Sequence, residues 1–137
     1  MTTAEFSASL IAIFEGCKLT AYKDTGGVLT IGYGHTGADV TEGLTITQEK
    51  AQEFLQADLK PLLVCVAEKP TLEAAAFVSF GYNCGLSAMK RAIAGETNMM
   101  EWIRDAKKNK LDHLVRRRGF ENSLIQLSKS QATETFR

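Results

Sequence analysis

The chain has 137 residues, 45% of them hydrophobic and 23% charged. That is long enough to bury a core in one domain, or in two tightly joined lobes, without disulfides or a structural metal. Its 16 basic and 16 acidic residues cancel, so overall charge excludes any argument for nucleic acid or membrane as a whole-protein partner.

The N-terminal stretch MTTAEFSASLIAIFEG has no basic start, no long apolar run and no small-residue cleavage site. It reads as a chain made in the cytoplasm without a secretory signal, and no segment is apolar enough to span a membrane. Thr3 to Gly16 has the periodicity of an amphipathic helix, with Phe6, Leu10, Ile13, Phe14 and Cys17 on one face and Gly16 as its stop. From Leu19 to Thr36 the residues favour strand, and Asp24-Thr25-Gly26-Gly27 supplies turn chemistry for a β-hairpin. Within the returning strand, alternation puts Leu29 and Ile31 on the buried face and turns Thr30 toward a cleft.

The rest reads as helix. Thr47 or Thr45 caps a helix to about Lys60, with Ala51, Leu55, Leu59 and Leu62 inward, and Pro61 is expected to kink or restart it. Pro70 and Thr71 mark the next start. From Thr71 to Met89 the only charge is Glu73, which suits a helix at the centre of a core. Shorter helices follow around Ala88–Ala94 and Thr97–Lys107. A last helix over Leu111–Leu127 directs Leu111, Leu114, Val115, Leu124 and Leu127 inward, and the polar tail SKSQATETFR is expected to fray. Trp102 reads as packing, with sugar stacking as the alternative. The three cysteines, Cys17, Cys65 and Cys84, are odd in number and fit no zinc spacing, so free thiols are expected.

These elements predict a mainly α, α+β fold. A small N-terminal lobe (about 15–46) of helix end and hairpin is joined by a connecting helix (about 47–60) to a large helical lobe. That lobe comprises about 61–128 plus the N-terminal helix. A cleft between lobes is where a polymer could lie.

Two carboxyls stand out in this frame. Glu15 ends the first helix on the border of its apolar face, where desolvation would raise its pKa. Asp24 sits at a wetter turn and stays ionised. Such a pair suits glycoside cleavage, one carboxyl protonating the leaving oxygen and the other stabilising positive charge or activating water. The alternative is a solvated helix-end Glu and a turn-forming Asp.

The motif around them is specific. Glu15-Gly16, Leu19, Ala21-Tyr22, Asp24, Gly27 and Thr30-Ile31-Gly32-Tyr33-Gly34-His35-Thr36 stand in the pattern E-G-x-x-L-x-A-Y-x-D-x-x-G-x-x-T-I-G-Y-G-H-T, and it resembles the phage lysozyme family, the T4-lysozyme-like endolysins. GLTITQEKAQEFLQADL, FVSFGYNCG and LVRRRGFENSL resemble the family's connecting-helix, central-helix and C-terminal Arg-rich motifs. The sequence departs from the family at the short Gly85–Lys90 segment and at His113.

The resemblance implies Glu15 as general acid and Asp24 with Thr30 as the water-positioning pair. The implied reaction is an inverting hydrolysis of the β-1,4 bond between N-acetylmuramic acid and N-acetylglucosamine, with no metal and no organic cofactor. Gly34, Tyr82 and Asn83 are implied as substrate-binding residues, and His35 as structural, held by a hydrogen bond or a carboxylate. Of Arg116, Arg117 and Arg118, one is expected to turn inward toward Glu15 or another buried acid, and Arg116 is taken as the structural residue near the site. With Lys107, Lys108 and Lys110 they make the C-terminal third basic, which reads as a solvated face.

The expected partner is the peptidoglycan glycan strand. Nucleic acid and membrane insertion are not expected. The protein would act as a monomer in the periplasm or wall, after release through a separate membrane-pore protein. The competing readings are a wall- or partner-binding module that keeps this fold without turnover, and a lytic transglycosylase.

Overall fold

The computed structural model describes residues 1–135. It runs α1 (Thr3–Glu15), β1 (Lys18–Lys23), β2 (Leu29–Gly32), β3 (His35–Thr36), α2 (Gln48–Cys65), α3 (Thr71–Cys84), α4 (Leu86–Ile93), α5 (Met99–Lys108) and α6 (Asp112–Thr135). This is the expected mainly α, α+β architecture. The helical lobe is built around α3, which packs against α1, α2, α4 and α6. Residues 74–81 of α3 are all buried, because no charge after Glu73 demands water.

Helix α1 is capped by Thr2, whose hydroxyl accepts from the Glu5 backbone N–H at 3.1 Å. Its buried residues are Ser7, Leu10 and Ile11, with Phe6 and Phe14 packed partly against the core, so the expected stripe holds at Phe6, Leu10 and Phe14 and fails at Ile13 and Cys17. Ile13 is 79% exposed and Cys17 is also exposed. The buried face is turned slightly from the one chosen by counting apolar residues, toward Ser7 and Ile11. Gly16 adopts φ +67° and ends the helix at once, which an L-residue with a side chain would do at a cost. Glu15 is thereby left as the last helical residue.

The hairpin is present and gains a third strand, giving the antiparallel order β1-β2-β3. Tyr22 pairs with Thr30, and Thr30 with Thr36. Directly paired residues share a face, so these three side chains stand on the same side. Ile31 is fully buried, as expected, but Leu29 is only half-buried and Thr30 is 4% exposed. Thr30 lies in the central strand, flanked on both sides, and the simple alternation of a two-stranded hairpin does not apply to it.

Thr47 caps α2, accepting from the Lys50 N–H at 3.1 Å. The helix continues past Pro61 to Cys65, beyond the expected end near Lys60. Pro61 removes the hydrogen bond to the carbonyl of Ala57. Both residues are on the exposed side, where water can satisfy that carbonyl. Leu55, Leu59, Leu62 and Val66 keep the other side in the core.

The apolar run after Pro70 divides at Gly85, whose φ is +97°. Trp102 packs edge-on against Phe80, with ring centroids 5.0 Å apart. Helix α6 continues to Thr135 instead of fraying after Leu127. It contains no proline, no glycine beyond Gly119, and a buried Ser128, so propagation costs little once the helix is nucleated. The last two residues of the tail, 136–137, lie outside the described residues. Leu124 and Ile125 are buried, while Leu111 and Leu127 are exposed and Leu114 and Val115 half-buried. The inward positions assigned to those leucines belong instead to Arg117, Arg118 and Glu121. All three cysteines are free. Among the described residues no helix is long and apolar enough to cross a membrane.

His35 ties the sheet to α2. Its Nδ1 is 2.7 Å from Asp58 Oδ2, its Nε2 is 3.0 Å from Asp39 Oδ1, and its ring stacks on Phe54 at 4.1 Å. Burial disfavours the charged imidazole, but hydrogen bonds and charge from Asp58 and Asp39 outweigh it and raise the pKa above the ordinary 6.5. A raised folded-state pKa stabilises the fold below the unfolded value and loses that effect as pH climbs through the folded one. The melting-temperature gap between the wild type and His35→Gln is therefore expected to be full below pH 6.5 and to shrink above it. A gap that does not vary with pH would contradict the ion-pair assignment.

Candidate active site

The end of α1, the β1–β2 turn, the Gly34 loop and the C-terminal end of α3 converge. Glu15 keeps 23% of its side chain exposed, and its Oε2 accepts from Arg117 Nη1 at 2.9 Å. Its Oε1 faces Gly34, where an added Cβ would stand 3.3 Å from that oxygen. Gly34 has φ +88°. Close approach and backbone conformation both call for glycine here.

Asp24 holds its own turn. Its Oδ1 accepts from the N–H groups of Gly26 and Val28, each at 2.9 Å, and its carbonyl accepts from the Gly27 N–H. One carboxylate oxygen is thus fixed by the turn, and the other remains for the exposed side. Thr30 Oγ1 donates to the Val28 carbonyl at 2.9 Å, which leaves its lone pairs as acceptors. Tyr22, the cross-strand partner of Thr30, lies within electrostatic reach of both carboxylates. Its pKa is raised by burial first, then by the charges of Glu15 and Asp24.

Tyr82 and Asn83 close α3. The Tyr82 hydroxyl donates to the Tyr33 carbonyl at 2.6 Å, and the Tyr33 hydroxyl accepts from Gln48 Nε2. The Gly34 loop is therefore braced from α3 and α2 together. Burial, then the charges of Asp58 and Glu15, raise the Tyr82 pKa against an opposing effect of Arg117, so the phenol stays a donor. The Tyr82 ring lines a depression of about 220 Å³ with Gly34, Thr36 and Asp58. Asn83 is exposed, and its Oδ1 accepts from Arg118 Nη1 at 2.9 Å. It shares a second depression, of about 280 Å³, with Glu15, His113 and Arg116.

The arginine on Glu15 is Arg117, not Arg116, which is exposed on the rim. Sequence reasoning expected one inward arginine, and the structure has two. Arg117 lies across Phe14 at 5.1 Å and Arg118 across Phe80 at 4.8 Å. Ser79 and Glu121 were absent from the expected site, and Arg118 stood there only as one of three candidates for the inward arginine. A signal for them existed: Arg117 and Arg118 are four and three residues before Glu121, the helical spacing that lets opposite charges meet. Among the described residues no three His, Cys, Asp or Glu side chains gather where a metal ion could be held.

A helical lobe, a small antiparallel sheet and a carboxylate at the end of the first helix, opposite the hairpin, define a lysozyme-type fold. The endolysin from Escherichia coli O157:H7 phage FAHEc1 superposes with a TM-score of 0.70 at 30% identity, covering 91% of this chain and 93% of that one. The muramidase domain of SpmX from Asticaccaulis excentricus superposes with a TM-score of 0.66 at 30% identity, covering 87% and 93%. The chain belongs to the phage lysozyme family, whose sequence model matches residues 12–121. Among curated proteins, the endolysin of Bacillus phage B103 is 37% identical over 97 residues, 66% of this chain and 37% of that protein. The chain thus spans about two-fifths of the length of the Bacillus phage relatives it matches.

Gly34→Ala tests the contact between loop and acid. The positive φ alone should cost about 1–3 kcal/mol of stability, and the new methyl should displace the Glu15 carboxyl and lower turnover. Wild-type melting and turnover in this variant would show that the loop does not press on Glu15.

Proposed function

We propose that this protein is an endolysin-type muramidase that hydrolyses the β-1,4 bond between N-acetylmuramic acid and N-acetylglucosamine in peptidoglycan, with inversion at the anomeric carbon. The observation that carries this reading is the pairing of two differently held carboxyls. Glu15 is half-enclosed against Arg117 and Gly34, and Asp24 is exposed at a turn that uses only one of its oxygens. The relatives named above include a muramidase domain and endolysins, and Glu15, Asp24 and Thr30 are the residues on which that chemistry is carried to this chain.

Glu15 gives its proton to the glycosidic oxygen as the bond to the anomeric carbon breaks, and the sugar ring takes on positive charge. A water molecule sits on the opposite face of the ring. It donates one hydrogen to the free oxygen of Asp24 and the other to Thr30 Oγ1, whose own proton points to the Val28 carbonyl. Both water hydrogens are then occupied, and an oxygen lone pair faces the anomeric carbon. As the new C–O bond forms, Asp24 takes the proton. An inverting site needs about 6.5–9.5 Å between its carboxyls to house that water, against about 5–5.5 Å for a retaining one.

Asn83 binds the substrate. With its carbonyl oxygen engaged by Arg118, its amide hydrogens are directed to acceptors such as an N-acetyl carbonyl. Tyr82 forms the wall, and Gly34 leaves room beside the acid. The chemistry uses no cofactor. The protein works as a monomer on glycan strands, and it reaches them from the cytoplasm through a separate membrane-pore protein.

Digestion of purified peptidoglycan tests the reaction. The expected product carries reducing muramic ends that first appear as the α-anomer in proton NMR, before mutarotation. Anhydro ends would mean transglycosylation, early β-anomer would mean retention, and no release would mean a binding module. Each of these would end the proposal.

A further inference from the structure

Glu121 is the most enclosed carboxylate among the described residues, with its side chain fully buried in the middle of α6. It touches no cleft and takes no part in the reaction above. Its partners are what make it informative. Glu121 Oε2 accepts from the Ser79 hydroxyl of α3 and from Arg118 Nη2, the latter at 2.9 Å, and Oε1 accepts from Arg118 Nε. The Nε of Arg117 lies 3.5 Å from the same Oε2.

Both arginines reach from this carboxylate to the cleft. Arg117 donates from Nε to Ser79 Oγ at 3.2 Å and from Nη2 to the Ser79 carbonyl at 3.0 Å, and its Nη1 remains for Glu15. Arg118 gives Nε and Nη2 to Glu121, and its Nη1 remains for Asn83 Oδ1 and the Cys84 sulfur. A guanidinium is rigid and planar, so fixing two of its nitrogens fixes the direction of the third.

We propose that Glu121 is a positioning residue that sets two cleft groups at once, orienting Glu15 through Arg117 and Asn83 through Arg118. The inference rests on the reading of Glu15 as general acid and extends it to the residue that aims it. A bare ion pair between Arg117 and Glu15 would leave the long arginine free to swing with the acid. Ser79 and Glu121 remove that freedom from behind.

Glu121 also balances charge. Two guanidiniums face two carboxylates in this cluster, Glu15 and Glu121. The other groups facing Glu15 are Tyr22 from β1, Tyr82 from α3, and Arg116 and His113 from the rim. Those facing Glu121 are Ser79 and Cys84 from α3 and the two arginines of α6. Burial pushes the Glu121 pKa up, and Arg118, Ser79 and Arg117 oppose that push. Removing its charge would leave one uncompensated positive charge directed at Glu15.

The test is Glu121→Gln, which keeps the shape and removes the charge, assayed on purified peptidoglycan with melting curves to establish folding. Misaimed groups cost roughly 10- to 100-fold in kcat, and apparent KM should rise because Asn83 is no longer held. With one positive charge left uncompensated in the cluster, the alkaline limb of the pH–rate profile should move toward acid. A loss of kcat with an unmoved limb would mark ordinary structural damage and overturn the inference, as would wild-type kinetics.

Should that variant fail to fold, Glu121→Gln with Arg118→Gln removes one charge of each sign. Its alkaline limb should stay at the wild-type pH while kcat is still lowered, because Arg117 has lost Glu121 behind it, and wild-type kcat in this variant would overturn the inference. Glu15→Gln is run alongside: if it retains turnover, the reading of Glu15 fails, and the outcome is separate from that of Glu121.

Discussion

Four charged side chains meet where α1, α3 and α6 come together, and three of them are almost withdrawn from water. Arg117, Arg118 and Glu121 have side-chain exposures of 5%, 2% and 0%, and Glu15 retains 23%. Burying such groups is costly, and their mutual attraction offsets that only when geometry and hydrogen bonds are nearly complete. Here they are. Arg117 has Glu15, Ser79 Oγ and the Ser79 carbonyl, Arg118 has Glu121 and Asn83, and an aromatic ring covers each guanidinium. Removing one partner from such a cluster typically costs about 3–5 kcal/mol, so the charges hold one another in place. The arrangement suits a fixed acid better than a stable core, since apolar residues of equal volume would pack as well.

The opposite wall is held by different means. The sheet contributes Asp24 and Thr30 through a turn that Asp24 closes on itself and a central strand flanked on both sides. The Gly34 loop is attached to the helical lobe by the Tyr82 hydroxyl on the Tyr33 carbonyl, and to α2 through His35 and Asp58. These polar ties act beside apolar packing: Tyr33 lies in the core with Ala51 and Leu55, and the His35 ring stacks on Phe54. Glu15 is therefore fixed to the helical lobe, and Asp24 and Thr30, proposed to hold the water, are carried by the sheet.

The site was legible in sequence to the extent that it is local. Glu15, Asp24, Thr30 and Gly34 fall within one short segment whose turn residues and helix stop can be read directly. The cap at Thr47, the buried run after Pro70 and the free cysteines follow from equally local chemistry. What was missed depends on distant partners. Asp58, which fixes His35, lies on another helix, and Arg117 could not be distinguished from Arg116 until the rotation of α6 was known. A search for apolar stripes placed leucines where α6 buries charges, and it rotated the face of α1. Thr30 was expected to be open because strand alternation sets it opposite Leu29 and Ile31, but it is 4% exposed in the central strand of three. Pro61 did not end α2, because the carbonyl it orphans lies on the exposed side of the helix.

The central claim is that Glu15 supplies a proton to the leaving oxygen, and leaving-group dependence tests it most directly. Glu15→Gln is compared with the wild type on peptidoglycan and on an aryl glycoside whose phenolate departs without protonation. The account predicts that cleavage of the polymer falls roughly 10²–10⁴-fold while cleavage of the activated glycoside falls by less than about tenfold. An equal loss on both substrates, or undiminished cleavage of the polymer, would contradict it.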